Sequence, residues 1–309
     1  MFSILFPGQG SQNLGMANDL YKDFNYVQEY FDKTDELLNR NLSKIIFEGP
    51  KQELDQTKNT QPAIFLVSYS IFKVIEKETM FKIKKANYFA GHSLGEYSAL
   101  CCADSITFDQ AINLLKHRGE AMQNAVPNEK GGMIAILGEN IKKINELINE
   151  NSKNFKCYIA NDNTNGQIVV SGKLDELDLF EQVLKKNNIK LAKLPVSAPF
   201  HSPLMSKATE EMKQIINDTE FKDPFVKIIS NVTANPLSDA NEIKRFLIQQ
   251  IEKPVRWRES INNMINFGIK NFIEIGPGKV LSGLVKRIDR NVELNQVNNF
   301  LDAKKLLND

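Results

Sequence analysis

The chain has 309 residues, enough for one large domain or two of ordinary size. Hydrophobic residues make up 42% and charged residues 25%, a globular mix, and a formal net charge of +1 gives no global field for nucleic acid or an anionic membrane. Three cysteines, Cys101, Cys102 and Cys157, form neither a disulfide framework nor a CxxC metal pattern, so a reducing compartment is expected.

Phe2 to Phe6 is a short apolar run that reads as a buried strand. It lacks a basic segment and runs straight into Pro7-Gly8, so it does not read as a signal peptide. The longest apolar run, near 63–72, is too short and interrupted to span a bilayer. A cytoplasmic protein is expected, with neither nucleic acid nor membrane as a partner. Pro7-Gly-Gln-Gly-Ser-Gln12 is a glycine-rich turn. Asn13 stands where a dinucleotide fingerprint needs its third glycine, and the Walker spacing fails as well. The remaining use of such a loop is to aim backbone N–H groups at an oxyanion from a strand end. Residues 17–60 read as polar helices broken at Gly49-Pro50. A strong helix is predicted over 62–76, with Pro62 at an early position and Ile64, Val67, Ile71 and Ile75 on one stripe.

The densest signal follows, in Asn87-Tyr-Phe-Ala-Gly-His-Ser-Leu-Gly-Glu96. An apolar run ends at Gly91, a turn of small residues follows, and a helical pattern continues from Glu96 to Ala103. Taken alone, G-x-S-x-G is a common accident. Strand before and helix after are what a nucleophile elbow requires, with Ser93 exposed at a helix N-terminus where free N–H groups favour negative charge. A further helix is predicted over 108–122. At 100° per residue, Arg118 falls within about 20° of Ala111 and about 40° of Leu114, on the apolar stripe. An arginine there needs a partner or a function, because an unpaired buried charge is costly. His117 shares the polar face with Gln110 and Asn113 and reads as solvated.

After a break at Pro127-Asn-Glu-Lys-Gly-Gly132, strands are predicted at 133–137, 155–160, 167–171 and 189–196. Helices are predicted at 140–151 and 174–187. The second and third strands are joined by an Asn-rich turn. This β-α-β-β-α-β order is the split βαβ arrangement of a ferredoxin-like unit, inserted into a larger domain. Then comes Ser197-Ala-Pro-Phe-His-Ser-Pro203, in which prolines hold the loop extended on either side of His201. Helices over 209–217, 241–251 and 280–288 and strands over 225–230 and 271–275 complete the pattern. Outside the insertion, strands alternate with helices, which predicts an α/β fold with a mostly parallel sheet.

A serine hydroxyl needs a neighbour to take its proton, and histidine is the usual one. Of the three histidines, His92 adjoins Ser93 and points away from it in the turn, and His117 is on the polar face. His201 is left as the base. No acid in the interval between Ser93 and His201 has a distinctive setting, so a carbonyl is the alternative for orienting the ring. No zinc signature, H-E-x-x-H or phosphate loop competes, and no cofactor is expected.

Pro7-Gly-Gln-Gly-Ser-Gln12, Gly91-His-Ser-Leu-Gly-Glu96, Arg118-Gly119, Asn161-Asp-Asn163, His201, Ser230-Asn-Val-Thr-Ala234 and Glu274-Ile-Gly-Pro-Gly-Lys-Val-Leu281 occur in one order over nearly the whole chain. In this the sequence resembles the malonyl-CoA:acyl carrier protein transacylases of bacterial type II fatty acid synthesis. The resemblance implies an α/β-hydrolase-like large domain (1–126 and 197–309) carrying a ferredoxin-like subdomain (127–196). It implies that Ser93 is acylated by malonyl-CoA, a substrate rather than a cofactor, with His201 as base and then acid. The backbone N–H groups of Gln9 and Leu94 would form the oxyanion hole, and Arg118 would clamp the malonyl carboxylate. The Gln250 carbonyl would orient His201, with Gln249 as an adjacent candidate. Phe200 resembles the malonyl-selective pattern, in which bulk limits an α-methyl branch. Acyl carrier protein would be the acidic partner of a monomeric enzyme, and Lys185, Lys186, Lys190 and Lys193 are candidates for its docking surface. One departure is Asp104 in Ala103-Asp-Ser105, where relatives usually carry Ala-Gly. The rivals to transfer are a hydrolase that uses the same serine and histidine, and a scaffold that has kept the fold without the chemistry.

Overall fold

Ile4 and Phe6 face one way from β1 (Phe2–Phe6) and Leu5 the other, and all three are fully buried. With a side-chain period of two, a strand can do this only between two cores. Ile4 and Phe6 join the larger core and Leu5 a second one with Trp257, Ile261, Phe272 and Leu281. These features come from a computed structural model, which describes residues 1–127, 130–196 and 198–306.

From β1 the chain passes through α1 (Asn18–Asp23), α2 (Asn25–Leu38), α3 (Leu42–Glu48) and α4 (Lys51–Leu54) to the long α5 (Thr57–Glu78). Then come β2 (Tyr88–Gly91), α6 (Gly95–Cys102) and α7 (Phe108–Asn124). The next six elements are β3 (Gly131–Leu137), α8 (Ile141–Glu150), β4 (Cys157–Thr164), β5 (Gln167–Lys173), α9 (Leu174–Lys186) and β6 (Lys190–Lys193). The chain then forms α10 (Ser206–Asp218), β7 (Lys227–Ile229), β8 (Pro236–Leu237), α11 (Ala240–Gln249) and α12 (Trp257–Asn266). It ends with β9 (Asn271–Ile275), α13 (Val280–Ile288), β10 (Glu293–Val297) and α14 (Phe300–Lys304).

Two sheets result. The larger has the order β10-β9-β1-β2-β7-β8 and is parallel except for the β7–β8 pair. The smaller has the order β4-β5-β3-β6 and is antiparallel throughout. No helix among the described residues is long and apolar enough to cross a membrane.

Several elements differ from expectation for identifiable reasons. The helix predicted over 62–76 begins five residues earlier, at Thr57, so Pro62 lies inside it. Proline has no N–H to give the carbonyl four residues back. That carbonyl, of Lys58, accepts instead from Arg40 Nη2 at 2.6 Å. The Asn-rich stretch is not the turn. β4 continues through Asn161-Asp-Asn163, and the reversal comes at Asn165-Gly166. Asp162 and Asn163 stay in a strand because their side chains find partners, Asn163 in His92. Asp162 receives a bidentate contact from Arg258 (Nη2–Oδ2 2.7 Å, Nε–Oδ1 3.0 Å), and its N–H donates to the Val255 carbonyl at 3.0 Å. The end of β4 is thereby fastened to the start of α12, a helix that the sequence reading passes over. β10 is passed over too, because Glu-Leu-Asn-Gln-Val at a sheet edge has no clear alternation. β6 is shorter than the predicted 189–196. Asp104 adopts φ +60°, the left-handed conformation that glycine takes most easily, so the glycine that the resemblance leads one to expect there would sit without strain. Asn128 and Glu129, near the start of the predicted insertion, and Ser197, just past its end, lie outside the described residues.

Candidate active site

β2 runs in parallel with β1 and delivers the chain to a turn that only small residues permit. A Cβ on Gly91 would overlap the Gly95 carbonyl group, and one on Gly95 would overlap the Phe6 carbonyl. Between them Ser93 is held at φ +53°, strained for a residue with a side chain. Gly91→Ala is expected to cost upwards of about 3 kcal/mol, since backbone rather than a movable side chain must give way. A thermal melt indistinguishable from that of the parent protein would refute this reading of the turn.

The strained turn places Ser93 Oγ 2.8 Å from His201 Nε2. His201 Nδ1 lies 2.7 Å from the carbonyl oxygen of Gln250. A carbonyl only accepts, so Nδ1 carries the ring proton, Nε2 is the acceptor, and the Ser93 hydroxyl donates to it. Of the two adjacent candidates, it is Gln250 and not Gln249 whose carbonyl reaches the ring. Burial, followed by the charge of Arg118, pushes His201 down to about 3. The imidazole is therefore neutral throughout the working range and free to accept a proton.

Arg118 projects from α7 into the same space and is 1% exposed, as its place on the apolar stripe requires. Its Nη1 donates to Gln61 Oε1 at 2.8 Å, and Nη2 donates to Gln250 Oε1 at 2.9 Å and to Ser93 Oγ at 3.1 Å. The guanidinium carbon lies 5.4 Å from the centre of the Tyr97 ring. Its Nε has no hydrogen-bond partner among the described residues. Among the described residues no carboxylate forms a direct ion pair with it, so its hydrogen bonds go to amides and a hydroxyl.

Gln9, Ser93, Leu94, Arg118 and His201 line one cavity of about 220 Å³, together with Phe200. Gln250, the sixth expected site residue, is fully buried behind His201. The backbone N–H groups of Gln9 and Leu94 have no acceptor among the described residues. His92 turns away from the serine: its Nε2 is 2.9 Å from Asn163 Oδ1 and its ring packs on Trp257. His117 lies partly exposed, away from the cavity.

Three residues here had no assigned role in the sequence. Asn231 accepts from Ser93 N–H through Oδ1 at 2.7 Å and donates to the Gly91 carbonyl at 2.7 Å, stapling both sides of the turn. Gln61 supports Arg118. Glu96, 2% exposed, accepts from the Gln250 side chain at 2.7 Å. Burial pushes its carboxyl up to about 7, against the pull of Gln250, the Asn231 N–H and the Arg118 charge. The only signal available for Asn231 and Glu96 was their position inside the quoted motifs.

Residues 4–299 match the acyl transferase domain family. The malonyl CoA-acyl carrier protein transacylase of Bacillus subtilis (strain 168) is 42% identical over 295 residues, covering 94% of this chain and 91% of that protein. Its namesake in Staphylococcus aureus (strain MRSA252) is 36% identical over 304 residues, 98% of this chain and 97% of that one. Among solved structures, an acyl-carrier-protein-S-malonyltransferase from Bartonella henselae superposes with a TM-score of 0.94 at 40% identity, over 98% of this chain and 96% of the other. A malonyl-transacylase in complex with its type II PKS acyl-carrier protein superposes with a TM-score of 0.93 at 36% identity, over 98% and 97%.

Proposed function

The chain belongs to the malonyl CoA-acyl carrier protein transacylase family, and from that premise we infer that it is an acyltransferase that carries malonyl groups from malonyl-CoA to acyl carrier protein. It thereby supplies the elongation substrate of fatty acid synthesis. The observation that carries the reading is Ser93 Oγ, set 2.8 Å from a neutral imidazole and 3.1 Å from a buried guanidinium in one cavity.

We assign the roles as follows. Ser93 Oγ attacks the malonyl thioester carbonyl while its proton passes to His201 Nε2. The oxyanion is met by the Gln9 and Leu94 N–H groups. The C–S bond breaks, and the CoA sulfur takes the proton back from His201. In the second half, the carrier protein's pantetheine thiol gives its proton to His201 and attacks the malonyl ester. The C–O bond breaks and the proton returns to Ser93. The Gln250 carbonyl stabilises the imidazolium formed in each half, in the place an aspartate occupies elsewhere. Arg118 binds the free carboxylate through the planar fork that suits it. Phe200, in the cavity wall, limits an α-methyl branch on the acyl group.

We read the larger sheet and its helices as an α/β-hydrolase-like domain. The insertion at 127–196 is read as ferredoxin-like, which the order β4-β5-β3-β6 supports. The working enzyme is a cytoplasmic monomer that needs no cofactor.

Transfer and hydrolysis would share Ser93 and His201, so the acceptor decides between them. With malonyl-CoA and holo acyl carrier protein supplied together, malonyl-carrier protein should form at least about tenfold faster than free malonate. Malonate as the main product would make the protein a hydrolase. Of the basic residues considered for docking, Lys185 on α9 is paired with Glu181, and Lys193 on β6 with Asp178 and Glu181, both acids being on α9. Lys186 and Lys190 are left as the stronger contributors. If they steer the carrier protein, the KM for that protein rises several-fold between about 50 and 200 mM salt, whereas the malonyl-CoA half-reaction changes less.

A further inference from the structure

Behind the nucleophile lies a carboxylate that the proposed chemistry leaves unused. Glu96, on the first turn of α6, accepts through Oε2 from Gln250 Nε2 at 2.7 Å and from the Asn231 N–H at 3.2 Å. Each of these two residues holds part of the site. Gln250 carries His201 on its carbonyl and Arg118 on its Oε1, and its Nε2 also donates to the Ser93 carbonyl at 3.0 Å. Asn231 holds the Ser93 N–H and the Gly91 carbonyl. One acceptor oxygen therefore ties together the groups that support nucleophile, base and guanidinium.

The Gln250 amide also connects two charges. Arg118 Nη2 donates to its Oε1, and its Nε2 donates to Glu96. We propose that Glu96 is a positioning residue that locks Gln250 and Asn231 into one unit behind Ser93, and that it is the resident counter-charge of Arg118, taking up a proton when a substrate carboxylate docks on that guanidinium. This rests on the reading of Arg118 as the partner of the malonyl carboxylate.

The charged and titratable groups around Glu96 are few. Arg118 from α7 is the cation that acts on it, and Tyr97 is beside it on α6. Beyond Ser93 and Gln250 lie two imidazoles, His201 and His92, both held toward the neutral form by burial. A docked malonyl carboxylate would put two anions around one buried guanidinium. Like charges sharing a desolvated site raise the carboxyl pKa of the weaker acid. Glu96 already stands at about 7 because it is buried, so a further rise carries it through the neutral range. Both of its hydrogen bonds are to Oε2, so a proton on Oε1 leaves the unit assembled. By linkage, a site that takes up a proton on binding binds more tightly as pH falls.

The test uses Ser93→Ala protein, which binds acyl-CoA without turnover. Calorimetry near pH 8 in buffers of different ionisation enthalpy is expected to register roughly half a proton or more taken up with malonyl-CoA and none with acetyl-CoA, whose CoA portion is identical. Malonyl-CoA affinity should fall several-fold between about pH 6 and pH 8, and the added Glu96→Gln substitution should flatten that slope. Equal uptake with both acyl-CoAs overturns the proposal without any Glu96 variant, and uptake that persists in Glu96→Gln places the proton elsewhere and overturns it too. In the otherwise unaltered enzyme, Glu96→Ala is expected to lower kcat about 10–100-fold, with Glu96→Gln restoring most of it. Equal losses would remove the positioning role. Intact-mass labelling of the parent protein by malonyl-CoA separates the two levels. Absence of a Ser93 adduct sinks the underlying reading, whereas an adduct without malonyl-specific proton uptake sinks only the role of Glu96.

Discussion

Ser93→Ala is expected to lose the malonyl-enzyme altogether and to lower transfer to acyl carrier protein by about 10⁴-fold or more. A direct exchange between two thiols would need CoA and pantetheine in one cavity of about 220 Å³, with a base placed for a thiol instead of for Oγ. Folding should survive. The turn is held by the Ser93 N–H to Asn231 and the Asn231 side chain to Gly91, and neither bond uses the hydroxyl. Intact mass after mixing with malonyl-CoA checks the first part, and a surviving adduct would move the nucleophile elsewhere. A companion substitution checks the strain. At φ +53° alanine keeps the left-handed cost and glycine does not, so Ser93→Gly should be more stable than Ser93→Ala by about 1 kcal/mol, with both inactive. The reverse order of melting temperatures would mean that the turn stores no strain.

What the sequence made legible follows from distance along the chain. β1, the turn at Gly91 to Gly95 and the inward face of Arg118 are local facts of period and spacing. They can be read within a window of about 18 residues. The supports of the site are not local. Asn231 meets Ser93 across 138 residues and Arg118 meets Gln61 across 57, through amide side chains that most surfaces also carry. Nothing in a lone Asn or Gln announces a buried partner. The Asn161 to Asn163 stretch misled for the same reason. Its composition favours a turn, and it becomes a strand because Arg258, 96 residues away, supplies Asp162 with a partner. Polar residues in such a core are read correctly only once tertiary contacts say what satisfies them.

Arg118→Ala should invert selectivity as well as lower activity. A bidentate carboxylate contact is two charge-assisted hydrogen bonds at about 1.5–3 kcal/mol each, so kcat/KM for malonyl-CoA is expected to fall by at least about 100-fold. An uncharged acyl group should gain instead, for two reasons. In the parent protein it leaves a buried guanidinium without the anion it is placed for, a penalty the variant lacks. The same guanidinium helps hold His201 down at about 3, and it shares Ser93 Oγ with the imidazole at 3.1 and 2.8 Å. A malonyl carboxylate on the guanidinium offsets that charge directly and so relieves the part of the shift that Arg118 causes, while burial, the larger cause, stays in place. Acetyl-CoA cannot do so, and pays in kcat as well as in KM. Removing the charge frees the base for any acyl group, so the acetyl reaction should rise in kcat while the malonyl reaction falls. Measuring the rate of Ser93 acylation with each acyl-CoA, over a range of concentrations, separates the two terms. A parallel loss for both substrates would show that Arg118 supports the fold of the site and does not choose its substrate. The direction for stability is set by the absence, among the described residues, of any direct ion pair to Arg118. Its loss leaves Gln61, Gln250 and Ser93 facing a cavity that water can fill, so the melting temperature should move by no more than a few degrees.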